Sequence, residues 1–164
     1  MDRLRCAPAV ASAALPERAE AGGAALAPFL EGIEDSRHAG LNDVHQSLLG
    51  HLYGSTTSSY GLTEVRPGVV DDYAAFGSPG TQPGYDLNVP DGHNFVLKNR
   101  EDPVTYVGDT LMIHGDDPAD DNSFTELDAN KDLHLNPFGA HSTYFEEDSV
   151  ALDSLSRVVA GKAG

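Results

Sequence analysis

The stretch Gly50-His51-Leu52-Tyr53-Gly54-Ser55 places two glycines around a central residue. Glycines so spaced suit the sharp strand-to-helix corner that lifts a serine nucleophile above a sheet, where a bulkier residue would collide with neighbouring backbone. The chemistry of such a corner is acyl transfer. A hydroxyl attacks a carbonyl, and the N–H of the residue after the centre, here Tyr53, helps to stabilise the developing oxyanion. The central residue is Leu52, which has no nucleophilic atom and cannot be given one by any neighbouring base. Asp102 and His141 follow in the order acid, then histidine, which a hydrolytic triad of this kind would have, although chance often supplies that order.

Other residues compete for these roles. Ser55 lies about 300° around a helix axis from Leu52, at roughly 100° per residue, and is expected to cap or pack rather than to replace the nucleophile. Asp102 precedes Pro103, so a helix N-cap is an alternative to orienting an imidazole. His51 is expected to pack beside the corner, and His93, His114 and His134 to lie in loops. Asp128 to Asp132 begins like a calcium loop, but Leu133 stands at its sixth position and Gly139 at its twelfth, where glycine and glutamate belong. Asp116, Asp117, Asp120 and Asp121 read as a solvated acidic face. No metal site and no cofactor is expected.

The elements that must position these residues follow from the pattern. Pro16 to Ile33 has helical spacing of alanine and leucine, with Gly22, Gly23 and Pro28 as weak points. Val44 to Leu49 is a short strand running into Gly50. Ser55 to Tyr60 opens a second helix, polar and poorly amphipathic. Val69-Val70 with Tyr73 to Phe76 form the next strand, closed by Gly77-Ser78-Pro79-Gly80, and Asn94 to Lys98 forms a third. Gly108 to Gly139 reads as a long surface loop with short helical pieces. Asp148 to Val159 is a terminal helix with an apolar stripe. Strands alternating with helices predict an α/β architecture, a mainly parallel sheet flanked by helices.

Composition narrows the partners. The 164 residues suit one domain, expected over 19–164 behind an extension at 1–18. Ten Lys plus Arg against 26 Asp plus Glu give a formal charge of −16, which repels phosphate backbones and anionic membranes, so neither nucleic acid nor membrane is an expected partner. Cys6 is the only cysteine, which excludes an internal disulfide. Arg3, Arg5 and the small residues Ala11-Ser12-Ala13 faintly resemble a secretory leader, but Pro8 interrupts a barely hydrophobic run. A cytoplasmic location is the expectation, with secretion as the alternative.

The segments "LLGHLYGSTT", "VVDDYAAFGSPG", "VPDGHNFVLKNREDPV", "IHGDDPADDNSF" and "HSTYFEEDSVALDSLSRVVAG" resemble consecutive blocks of an α/β-hydrolase family common in actinobacteria, long described as a domain of unknown function. The likeness runs from Ala19 to Gly161, and that family's corner usually reads G-H-S-Y-G-S. It implies that Asp102 holds the acid position, His141 the base position and Leu52 the position of the nucleophile, with a small-molecule ester, amide or acyl compound as ligand. With leucine there, the chain is expected to be inactive or strongly impaired. A non-catalytic binding module, with Leu52 filling the pocket, is one alternative; a truncated product without independent function is another. Only 49 residues precede Gly50, so a partial α/β-hydrolase fold without its N-terminal strands is expected. Its first strand would then be an open edge through which copies could pair.

Overall fold

The structure, a computed structural model, describes residues 16–39, 44–82, 86–100, 102, 115–129 and 141–164. His114, His134, the calcium-like segment beyond Ala129, Cys6 and the leader-like start lie outside the described residues. The order is α1 (Pro16–Ala39), β1 (Ser47–His51), α2 (Tyr53–Glu64), β2 (Asp72–Phe76), β3 (Asn94–Leu97), β4 (Thr125–Glu126), a 3-10 turn (Thr143–Phe145) and α3 (Val150–Val159). The strands form one sheet in the order β1-β2-β3-β4, every neighbouring pair parallel. This is the parallel sheet flanked by helices that the alternating pattern implied, with β1 at its edge among the described residues.

The central strands show why the sheet is layered. All five residues of β2, Asp-Tyr-Ala-Ala-Phe, are buried, as expected of a parallel strand covered on both faces. Tyr73 and Ala75 point into a core with Ala27 and Leu30 of α1, Leu62 of α2, and Val65, Val69 and Val70. Ala74 and Phe76 point the other way, against Phe95 and Leu97 of β3 and Ala151, Leu155 and Val158 of α3. The period of two thus splits one strand between two cores.

Of the weak points expected in α1, Gly22 and Gly23 are points of helix contact, while Pro28 is exposed and the helix runs on through it. Its buried stripe runs through Ala19, Gly23, Ala27, Leu30 and Glu34, at helical spacing. A Cβ on Gly23 would lie 2.5 Å from Tyr60 Cβ and 2.6 Å from Gly61 N, so α1 and α2 cross with backbones almost touching. Propensity alone argued against glycine there; packing overrides it. The hydroxyl-rich α2, expected to be weak, begins at Tyr53 and buries Ser55, Thr56, Ser58 and Ser59. Thr56 Oγ1 donates to Gly80 O at 2.7 Å, Ser59 Oγ to Thr56 O at 2.8 Å, and Tyr73 Oη to Ser55 O at 2.9 Å. Those bonds satisfy polar groups that burial would otherwise penalise.

Two other expectations are corrected. The segment around Phe124 carries the short strand β4, whose residues Thr125 and Glu126 are both exposed. An exposed two-residue edge has no apolar alternation to reveal it. Asp117 is not part of a solvated face. Its side chain is 7% exposed and paired with Lys98, and it accepts from Ala119 N at 2.9 Å. At the amino ends of the strands, the buried Asp72 accepts from His45 Nε2 at 2.7 Å and from His93 Nδ1 at 2.6 Å, tying the starts of β1, β2 and β3 together. No helix among the described residues is long and apolar enough to cross a membrane.

Candidate functional site

In a parallel sheet all carboxyl ends fall on one side, and open α/β sheets bind ligands there. The registers His51↔Phe76 and Phe76↔Leu97 align the three strand ends. Whatever follows each strand is thereby gathered at one rim: Leu52 after β1, Gly77 after β2, and Asn99 to Asp102 after β3.

Leu52 is the single residue between β1 and α2, with φ 54° and ψ −132°. The positive φ is rare for a non-glycine residue, and this ψ lies outside the small left-handed basin that other side chains tolerate. Such a conformation costs on the order of 1–3 kcal/mol and persists only when its surroundings enforce it. They do so from both sides. Leu52 N donates to Phe76 O at 3.2 Å, and Ser55 N donates to Leu52 O at 3.0 Å. A Cβ on Gly50 would sit 2.7 Å from Ser55 Cα, so the first glycine is sterically required. The second is not. A Cβ on Gly54 would meet nothing within 4 Å among the described residues, contrary to the expectation that both glycines avoid collisions.

Tyr53 opens α2, which places its N–H at the positive end of the helix dipole. Ser55 is fully buried, its Oγ 2.6 Å from Leu52 O and 2.6 Å from Ser78 Oγ. Its hydroxyl is committed to holding the corner, in line with the capping or packing role expected of it. Leu52 itself is 37% exposed.

Asp102 and His141, 39 residues apart in sequence, meet here. His141 Nδ1 lies 2.8 Å from Asp102 Oδ2; the carboxylate is 0% exposed and the imidazole 18%. Asp102 N donates to Asn99 O at 3.0 Å, a turn that aims the carboxylate back toward the sheet. Whether Pro103 continues as a helix lies outside the described residues. The imidazole adjoins the corner through His51, whose ring stacks on His141 with centroids 4.9 Å apart and on Phe76 at 4.9 Å. His51 packs, as expected. Burial, and then the neighbouring His141, hold its pKa below the ordinary 6.5.

Two residues of this rim escaped the sequence reading. Tyr144 Oη lies 3.2 Å from Asp102 Oδ2 and accepts from Asn99 N at 3.0 Å. Gly77, with φ 53°, lets these groups converge. A Cβ on it would lie 3.1 Å from Tyr144 Cε2, 3.2 Å from Asp102 Oδ2 and 3.3 Å from His141 Cε1. The available signal was the turn cluster after β2 and a tyrosine three residues beyond the histidine. Among the described residues, no group of three or more His, Cys, Asp or Glu is placed to hold a metal.

Two outcomes test this geometry. Glycine normally costs roughly 0.5–1 kcal/mol relative to alanine in regular structure. At position 52 the order should reverse, with Leu52→Gly more stable than Leu52→Ala by about 1 kcal/mol in denaturant titrations, because only glycine relieves the strain. A glycine variant less stable than the alanine variant would refute the strained corner. His51 has a folded-state pKa below its unfolded value of 6.5. Below that value the unfolded chain therefore binds more protons, and this group's contribution to stability falls as pH drops toward the folded pKa. The melting temperature of His51→Phe relative to the unaltered chain should rise between pH 7.5 and 5.5. An unchanged difference would contradict the half-buried, neutral imidazole.

No curated protein and no solved structure matches the chain. A family model described as alpha/beta hydrolase does match, over residues 6–112, which is more than half of the sequence and includes the corner, β2, β3 and Asp102. With its parallel sheet and flanking helices, the chain belongs to this alpha/beta hydrolase family.

Proposed function

We propose that this chain is a serine-hydrolase scaffold, suited to ester or amide hydrolysis through an acyl-enzyme, in which Leu52 occupies the nucleophile position and abolishes turnover. The observation that carries this reading is the strained backbone of Leu52 beside His51, whose ring stacks on the imidazole bonded to Asp102. A serine at 52 would attack the substrate carbonyl while His141, through Nε2, takes the hydroxyl proton. Asp102 would hold Nδ1–H and stabilise the imidazolium, and the Tyr53 N–H would face the oxyanion. The imidazole would then pass its proton to the leaving group, and water would release the acyl group by the same route. Leucine removes the first step. Loss of the nucleophile typically costs on the order of 10⁶ in rate.

A second reading has support of its own. Leu52 and Phe145 are exposed at 37% and 55%, leaving apolar surface at the rim, and such surface fits a module that binds an acyl chain without cleaving it.

Both readings meet in one set of assays. The unaltered chain should neither react with a fluorophosphonate probe nor hydrolyse p-nitrophenyl esters. Leu52→Ser should become labelled and gain at least about 10²-fold in ester hydrolysis, a fraction of the full triad effect. Labelling of the unaltered chain would overturn the assignment of residue 52, as would a serine variant that folds but stays inert. A rise in melting temperature with fatty-acyl ligands, without turnover, would favour the binding module.

A further inference from the structure

The phenol of Tyr144 has a role that packing does not explain. The side chain is 1% exposed, and a phenylalanine would fill the same space against Phe76 and His51. The hydroxyl instead bridges the two segments that carry the acid and the base. It accepts from Asn99 N at 3.0 Å, in the turn leading to Asp102, and belongs to the Thr143–Phe145 turn just after His141. With its oxygen serving Asn99 N–H as acceptor, its one proton is directed to Asp102 Oδ2, 3.2 Å away. Burial raises the phenol's pKa well above its ordinary value, so that proton stays in place at neutral pH.

The consequence falls on His141. Asp102 Oδ2 is also the atom 2.8 Å from His141 Nδ1. An ionised carboxylate only accepts, and this oxygen has room for two donors. If one is the phenol, whose ring is held against Gly77, the carboxylate is fixed in rotation with the remaining acceptor site of Oδ2 facing Nδ1. A neutral imidazole then places its proton on Nδ1 and leaves Nε2 as the base.

We propose that Tyr144 is a positioning residue that fixes the Asp102 carboxylate and through it selects the Nδ1–H tautomer of His141. This rests on the reading of Asp102 and His141 as the acid and base of the site, and the role survives in a chain that lacks the nucleophile.

The test needs no turnover. In the full-length chain labelled with ¹⁵N-histidine, long-range ¹H–¹⁵N spectra distinguish the two neutral tautomers. The unaltered chain should show His141 as Nδ1–H. If it shows Nε2–H, the acid–base reading itself fails. Given the Nδ1–H form, Tyr144→Phe should raise the Nε2–H share about three- to tenfold, because a carboxylate free to rotate loses up to one hydrogen bond's worth of its hold on Nδ1–H. A folded Tyr144→Phe chain with an unaltered tautomer would overturn the proposal. A chain with 3,5-difluorotyrosine in place of Tyr144 keeps shape and hydroxyl but ionises more readily, and covers the case in which Tyr144→Phe does not fold. Its ionisation should register in the His141 resonances at the same pH, and His141 signals indifferent to it would equally overturn the proposal.

Discussion

The backbone of one residue has to turn from a buried parallel strand into a helix without a loop. Leu52 does this at φ 54°, a conformation its side chain resists, and the rest of the rim is organised around maintaining it. Phe76 O accepts from its N–H, its carbonyl accepts from Ser55 N–H, and Gly50 lets Ser55 come close enough to donate. Ser55, the residue that most resembles a spare nucleophile, spends its hydroxyl on the same task. Strain of this kind tends to be kept where the position it creates is useful.

The parallel sheet converts that local corner into a site. The carboxyl ends of β1, β2 and β3 share one rim, so a turn after each strand supplies one part: the corner, the glycine that makes room, and the buried acid. The histidine arrives from the segment before α3, and its ring completes a stack with His51 and Phe76. The opposite end of the sheet is tied by a separate device, a buried aspartate between two histidines. Burying carboxylates in a chain of net charge −16 is costly unless each is hydrogen-bonded, and both Asp72 and Asp102 are.

Much of this was legible in the residues. Alternation of strand and helix patterns foretold the parallel sheet, and Gly50, Leu52, Asp102 and His141 were singled out by spacing and by resemblance. The misses share a physical cause: they depend on contacts between distant segments. Gly22 and Gly23 looked like flaws in α1 because propensity is local, while their value lies in the crossing with α2. The hydroxyl-rich α2 looked weak because partners that satisfy its buried hydroxyls, such as Gly80 O, come from outside the helix. β4 left no signal because an exposed edge pair needs no apolar pattern. Tyr144 and Gly77 act through atoms that sequence distance hides, and among the described residues no other element crowds the Cα of Gly54.

The central claim is that residue 52 stands where a nucleophile would be served by His141 and Asp102. The most direct measurement is a crystal structure of Leu52→Ser after reaction with a fluorophosphonate. The account predicts phosphorus bonded to the residue 52 oxygen, His141 Nε2 within hydrogen-bond distance of the adduct, Nδ1 on Asp102, and a phosphonyl oxygen facing the Tyr53 N–H. An adduct on Ser55 or elsewhere, or a residue 52 adduct with the imidazole turned away, would contradict it.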